Sequence, residues 1–421
     1  METYATALSY AIPGFAMLIL LEYGISVLMK KQVNYGLDTI SSISSGLTNT
    51  LKTLMGLTVV IVSYEWMESH LAIFSIKSTV LVYIACFIGH DFAGYWSHRF
   101  NHTINVFWNR HIIHHSSEEF NLACALRQSV SAVVGVYFFL YVPMALLGIP
   151  TEVVAVVAPI HFFAQFWYHT RLINKMGFLE YIIVTPSHHR VHHAINDEYL
   201  DKNYSEIFIF WDKLFGTFQK ELADVPPVYG VKKPVRTWNP LLINFMHLWG
   251  IVKDAWRTKS WKDKLRIWFM PTGWRPKDVK IKYPISIVDD PFSMEKYRTS
   301  GSLFFVLWGW FQLVFTLVLM YFLLISVADL SMTQIVLYAL FLMVSIFAYT
   351  SLMDQHILAL YAEIIKFCFG VYLLIQVDGW FGLDAIVPFA SYIIGLYLSI
   401  SLFVTGYFLL NEFKTRNLAT T

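Results

Sequence analysis

The sequence predicts an all-α, polytopic membrane protein with a histidine-rich helical domain at its cytoplasmic face. Three observations carry this prediction. Of 421 residues, 56% are hydrophobic, 17% aromatic and only 14% charged, which is too apolar for a soluble globular domain. Apolar runs of about 20 residues recur, the length a helix needs to cross a hydrocarbon core of about 30 Å. Twelve of the 15 histidines fall between His90 and His193, where an even spread would put about four.

The runs at 9–29, 54–74, 79–97, 130–148 and 152–167 are the first candidate spans, with Glu65, Glu68 and His70 interrupting the second. The runs at 303–327, 334–352, 357–375 and 385–410 complete a predicted set of nine. The opening METYATALSY lacks the basic stretch of a secretory leader, so the first span is expected to remain as an anchor. Between the spans, Ser/Thr/Gly-rich 41–49 is expected to be a turn or an interfacial segment. The stretch 238–270 mixes Trp, Leu and Ile with Lys and Arg, a composition that suits amphipathic helices on a membrane surface or a solvated domain face. Pro271, Gly273, Pro276 and Pro284 mark a linker. The resulting organisation is N-terminal spans at 1–78, a catalytic domain at 79–220, a cytoplasmic or interfacial segment at 221–300 and C-terminal spans at 301–421.

Positive charge marks the cytoplasmic side. Lys30-Lys31 follows the first span, 21 of the 31 Lys and Arg residues lie within 171–298, and Lys414 and Arg416 close the chain. One topology puts all of these, and every histidine group, on that side. A net charge of +2 without a clustered basic soluble face argues against nucleic acid. Cys86, Cys124 and Cys368 are too few and too scattered for a disulfide framework or a thiolate metal site.

The histidines come as His98-Arg-Phe-Asn-His102, His111-Ile-Ile-His114-His115 and His189-Arg-Val-His192-His193, with His169 between the last two groups. Spacings of three and four put side chains on one helix face. Imidazole suits iron, zinc, copper and nickel, and one such ion takes about four to six ligands. Nine imidazoles exceed one ion, so two metals sharing them is the simplest account. Asp91 lies about two turns before His98 inside an apolar run, where an unpaired acid is costly. With Glu118, Glu119 and Asp197 it is a candidate to orient ligand rings, although each of the other three reads equally as an ordinary exposed acid. His188 must point away from His189. His161 and His90 lie about two turns before His169 and His98, and Gln165 lies one turn before His169. Arg127 is a candidate to hold a lipid headgroup or a carboxylate, or to snorkel at the interface. His70, His247 and His356 are isolated and read as structural. Phe138, Phe139, Tyr141, Phe162, Phe163 and Phe166 are available as an apolar wall.

HRxxH, HxxHHSS and HHRVHH, in that order among hydrophobic runs, resemble the fatty acid hydroxylase and sterol desaturase superfamily of membrane di-iron enzymes. Within it, the alkylglycerol monooxygenase branch is closer. Asn121-Leu-Ala-Cys-Ala-Leu-Arg-Gln-Ser129, Thr185-Pro-Ser-His-His-Arg-Val-His-His193, Asp201-Lys-Asn-Tyr204 and Trp211-Asp-Lys-Leu-Phe-Gly-Thr217 carry that likeness. It extends over about residues 89–218. The resemblance implies two iron ions held by the nine histidines, a membrane lipid substrate and dioxygen. It also implies a tetrahydropterin reductant or a separate electron-donor protein, since no haem-binding His-Pro-Gly-Gly is fused here. Sterol and fatty acyl hydroxylases or desaturases of the superfamily are the nearest alternative. A membrane zinc hydrolase lacks its usual H-E-x-x-H motif here. A metal transporter would place its ligands near mid-membrane, whereas these groups sit at the ends of apolar runs.

Overall fold

The computed structural model describes residues 2–377 and 379–413. Lys414 and Arg416, expected on the cytoplasmic side, therefore lie outside the described residues. The chain opens with α1 (Glu2–Leu28) and α2 (Gly36–Leu54), followed by α3 (Tyr64–Leu71), the long α4 (Val80–Thr103) and two single turns, α5 (Asn105–Trp108) and α6 (Ile112–His115). Next come α7 (Val142–Leu146), α8 (Thr151–Phe163), α9 (Pro186–His192) and α10 (Phe210–Leu214). A surface group follows: α11 (Pro240–Arg257), α12 (Trp261–Arg266) and α13 (Lys277–Lys282). The last part is α14 (Leu303–Ser326), α15 (Met332–Met353), α16 (Leu358–Gln376), the one-turn α17 (Gly379–Gly382) and α18 (Ala390–Tyr407). Among the described residues the only strands are β1 (Val59–Val60) and β2 (Val134–Gly135), paired in parallel.

Among the described residues five helices are long and apolar enough to cross a membrane: α1, α14, α15, α16 and α18. The protein is an integral, multi-pass membrane protein. This corrects the expected nine spans. The run 54–74 is broken at Gly56, which turns at φ +66°, and then by β1. The run 130–148 divides into β2, a short 3₁₀ turn and α7. Its first residues are captured by a side chain instead of continuing a helix: the Val130 and Ser131 amides donate to Asn244 Oδ1 (2.8 and 3.3 Å). Helix α8 has 13 residues, about 20 Å of helix, which is short of the hydrocarbon thickness. Helix α4 is continuous but carries buried Asp91, His98 and His102.

Helices α14, α15, α16 and α18 pack on one another, with α2 against α14 and α15 and α1 against α14. Leu323, Phe341, Leu342 and Leu398 lie at the centre of that bundle, fully buried. Charges inside it are paired, as a low-dielectric setting requires: Lys366 Nζ bonds Glu363 Oε1 at 2.7 Å and Ser401 Oγ at 2.8 Å. Helix α4 packs on α8 over Cys86, Val153 and Val157. Their outer faces expose Leu81, Ile84, Val156 and Ile160. Helix α11 buries Ile243, Asn244 and Ile251 and exposes Trp249 and Trp256, the amphipathic pattern expected for 238–270.

Residues 41–49, expected to form a turn or an interfacial segment, lie inside α2 and are largely buried. The reason is size and satisfaction. Small side chains let other chains approach closely, and their hydroxyls all find partners. Ser41 donates to Trp238 O, Ser44 pairs with Tyr349 Oη, and Ser45 donates to Gln128 O. One turn earlier, Asp38 accepts from Arg127 Nη2 at 2.8 Å, with both side chains almost wholly buried.

Removing one member of a buried ion pair costs about 3–5 kcal/mol, because the other charge is left uncompensated. Arg127→Met is expected to lower the thermal melting temperature of the purified protein markedly. The double change Asp38→Leu/Arg127→Met should recover most of that loss; a double variant as unstable as the single one would show that the pair itself is not the cause.

Candidate metal centre

The centre is assembled from α4, α6, α9 and the loop after α8. Helix α4 delivers His98 and His102 four residues apart. His111 caps α6, which carries His114 and His115. His169 follows α8. Helix α9 starts at Pro186, with fixed φ suited to a first turn, and is closed by a capping box from Thr185 and His188. It carries His189 and His192, with His193 as its C-cap.

All nine predicted histidines converge. His98, His102, His111, His115 and His192 form one group, and His114, His169, His189 and His193 another; within each, one ring nitrogen per residue lies within 4.8 Å of all the others. The groups touch: the His115 and His193 rings stack at 4.3 Å. Four rings are anchored from behind by backbone carbonyls. His98 Nδ1–H donates to Tyr204 O at 2.8 Å, His192 to Lys202 O at 3.0 Å, His169 to Gln165 O at 3.0 Å and His114 to Arg127 O at 3.3 Å. A carbonyl only accepts, so the proton sits on Nδ1 and the Nε2 lone pair points inward.

This arrangement fits a metal. With both Nδ1 atoms protonated, His114 Nε2 and His169 Nε2 face each other at 3.3 Å with lone pairs opposed, which is repulsive without a cation between them. The Nε2 atoms of His102, His115 and His192 are buried and lack any protein partner, which is costly for polar atoms unless an ion uses them. Burial lowers the basicity of every ring here: His169 is pushed down to about 3, and His111, His114, His115, His189, His192 and His193 are also held well below their usual range. The rings are therefore neutral, the form that ligates.

The other predicted residues sit around this core. Asp91 touches none of the nine rings. It accepts from His161 Nε2 (2.8 Å), the amides of Ile207 and Phe208, and the Trp211 indole, tying α4 to α8 and α10. His161 lies between Asp91 and Glu206, with Glu206 Oε2 3.7 Å from its Nδ1. Gln165 holds His169 through its carbonyl, while its amide reaches His161 Nδ1 and Glu206 Oε2, both at 3.2 Å. His188 is spent on the α9 cap. Arg127 holds the Asp38 carboxylate, Ser42 and Ser116. Glu118 accepts the Tyr297 amide, Glu119 binds three cations, and Asp197 pairs with Lys232. The aromatic set divides: Phe163 and Phe166 pack on Phe15 of α1, Tyr141 lies by His90, and Phe139 and Phe162 are exposed.

Glu206 was not anticipated. Burial pushes its carboxyl up to about 7, and Gly94 of α4 leaves it room where a Cβ would collide. Asp212 was also missed as a support. It accepts the amides of Tyr204 and Ser205 (2.8 and 2.9 Å) and so fixes the loop whose carbonyls hold His98 and His192. The only signal for it was its place in the Trp211–Thr217 motif.

Residues 83–217 match the family described as Fatty acid hydroxylase, and every histidine of both groups lies within that stretch. The stretch that holds the histidines is thus similar to the fatty acid hydroxylase family. Among whole proteins it is similar to alkylglycerol monooxygenases. It is 40% identical over 268 residues to that of Homo sapiens, covering 63% of this chain and 59% of the human protein. It is 36% identical over 274 residues to that of Xenopus tropicalis, covering 65% and 60%. Ornithine lipid hydroxylase OlsE of Rhizobium tropici is 29% identical over 128 residues, covering 30% and 39%. The matched stretch thus spans about three fifths of the length of these alkylglycerol monooxygenases. No solved structure matches.

A histidine that stays neutral when folded but is protonated when unfolded below about pH 6.5 binds fewer protons in the native state, so stability falls as pH falls below that value. For His169 the decline continues towards about pH 3. Metal-free protein is expected to lose melting temperature steadily between pH 6.5 and 5, and His169→Gln should flatten that slope. A wild-type slope unchanged by His169→Gln would contradict this.

Proposed function

We propose that the protein is a di-iron lipid monooxygenase that hydroxylates an alkyl C–H bond with dioxygen. The observation that carries this reading is the pair of touching, buried imidazole groups, five and four residues strong. The iron would be held by His98, His102, His111, His115 and His192 on one side and by His114, His169, His189 and His193 on the other. Bound there, two irons supply the redox capacity to activate dioxygen. Zinc sites use three or four ligands each, so zinc fits the group of four by number but would leave an imidazole of the group of five unused.

The chain's own groups do the rest. Backbone carbonyls hold four rings in the ligating tautomer. Asp91, His161, Gln165 and Glu206 brace the elements that carry His98 and His169, and burial keeps the imidazoles deprotonated. Arg127 positions His114 through its carbonyl. The substrate follows from the relatives: an alkylglycerol, hydroxylated on the carbon next to the ether oxygen. Dioxygen, two electrons and two protons give the hemiacetal and water, and the hemiacetal falls apart to fatty aldehyde and glycerol. A tetrahydropterin is the proposed reductant, with a separate electron-donor protein as the alternative.

The site is proposed to face the cytoplasm. Lys30-Lys31 follows α1, no helix that is both long and apolar enough to cross lies between α1 and α14 among the described residues, and that intervening stretch carries most of the basic charge. The domain is proposed to run from 79 to 220, between membrane segments at 1–78 and 301–421 and a surface segment at 221–300.

Membranes containing the protein, given an alkylglycerol, a reduced pterin and labelled dioxygen, should release fatty aldehyde only when the pterin is present. A hydroxylated acyl lipid or sterol made with a ferredoxin donor, and no aldehyde, would reject the alkylglycerol assignment while keeping the family chemistry. Single changes His111→Ala, His114→Ala and His192→Ala should lose iron and activity together. His70→Ala and His356→Ala should behave as the parent, and full iron content in any of the first three would remove that residue from the ligand set. For orientation, cysteines introduced at exposed Lys259 and Asp329, in a Cys368→Ser background, should label from opposite sides of the membrane with Lys259 cytoplasmic. Labelling of both from one side would show that α14 does not cross.

A further inference from the structure

Away from the metal centre, two cavities share a wall. One, of about 690 Å³, is a trough between α1, the connector after it, and α14. Its long side is apolar: Ile19, Tyr23 and Val27 from α1 face Trp310 from α14. Tyr23 and Val27 remain more than half exposed, so the trough opens sideways towards the bilayer. The other, of about 420 Å³, is a polar chamber built on Glu119, Arg171, Lys296 and Arg298. Gln32 and Asn34 line both cavities, and Lys30 and Lys31 stand at the polar end of the trough.

The charge does not balance. Arg171, Lys296 and Arg298 all bind one carboxylate, that of Glu119. Lys30 and Lys31 pair with no acid among the described residues. Counting Glu118, which approaches Tyr297 from behind, Glu22 beside Arg171 and the Asp38–Arg127 pair beside Arg298, six cations still exceed four acids by two. Asn34, at the junction, has both its amide nitrogen and its amide oxygen buried without a partner, a pair of groups that a polar ligand would satisfy. The metal centre lies behind this wall. Arg171 Nε donates to Phe120 O, and the Phe120 ring stands 5.8 Å from His169.

We infer that the trough and its cationic end form a site for one phosphate-bearing membrane lipid, distinct from the metal centre. The phosphate sits among Lys30, Lys31 and Arg298, a headgroup hydroxyl or ester meets Asn34, and one hydrocarbon chain lies along Tyr23, Val27 and Trp310. The combined size suits one lipid headgroup with part of a chain. Cations just beyond the end of a span are where anionic headgroups of that leaflet lie. The site requires no particular reaction at the histidines.

The test uses the full chain in neutral detergent, with retained lipid read by native mass spectrometry. Phosphatidylglycerol and diacylglycerol of the same chain length are the probes, and inorganic phosphate at about 10 mM, where salt screening is still weak, is the competitor. One phosphatidylglycerol per chain should be retained, and diacylglycerol should not. Each basic residue at such a site contributes about fivefold, so Lys30→Gln/Lys31→Gln should weaken retention about thirtyfold, with iron content unchanged. Lys259→Gln/Lys262→Gln, elsewhere in the same basic region, should leave it unchanged. Arg298→Gln should weaken it as well; if that variant does not fold, the exposed lysine pair still decides. Equal affinity in the Lys30/Lys31 variant, an equal loss in the Lys259/Lys262 variant, equal retention of diacylglycerol, or displacement of the lipid by inorganic phosphate alone would each overturn the site.

Discussion

Nine neutral imidazoles packed in a dry interior need a partner for each outward nitrogen, and much of the surrounding architecture meets that need. A ring whose Nδ1–H is held by a carbonyl has its other lone pair aimed and its tautomer fixed. Tyr204, Lys202, Gln165 and Arg127 supply those carbonyls. None of the four belongs to a histidine motif, and each lies in a segment that would wander without support. Asp212 holds the loop of Lys202 and Tyr204 through two backbone amides. Asp38 holds Arg127 through its guanidinium. Three of the nine rings, His98, His192 and His114, thus rest on two buried aspartates.

This dependence explains the odd composition of α2. Its serines and Asp38 would be poor choices for a helix packed on apolar neighbours, since buried polar atoms are costly unless satisfied. Here each finds a partner on a different element: Arg127 and Gln128 on the histidine side, Trp238 on the surface segment and Tyr349 in the membrane bundle. Helix α2 thus joins the membrane bundle to the histidine-bearing domain by directional bonds. Hydrophobic contact alone would allow the two halves to slide; hydrogen bonds to three separate segments do not.

The sequence made the histidines legible because the chemistry repeats a residue type at helical intervals. All nine gather in the structure, in two groups that the spacing alone did not divide. His111 and His115, four apart, fall in one group and His114 in the other; the expectation that a spacing of three also keeps rings together is corrected, because three residues turn the side chain about 60° off and four only about 40°. The membrane count was less legible. Hydropathy sees composition, so 54–74 and 130–148 read as spans although Gly56 and the Asn244 carboxamide break them. The polarity of α2 misled in the opposite direction, since its partners are distant in sequence. Glu206 and Asp212 carry no periodic signal at all; only the packing of α10 against α4 brings them into place.

The short helices give the fold its functional geometry. Helix α4 has 24 residues, about 36 Å. Its first half shows exposed Leu81 and Ile84, and its last turns carry His98 and His102. Helix α8 is too short to accompany it along its whole length, and ends near His161. There the Asp91–His161 bond, buried on both sides, locks the two helices together. A helix whose apolar first half gives way to buried histidines, braced by a partner that stops halfway, leaves its end free for other elements to join. A full-length partner would have covered that end of α4 before the histidines could gather. The interrupted apolar runs, which made the span count hard to read, are thus what allow imidazoles from four separate segments to meet at the end of α4.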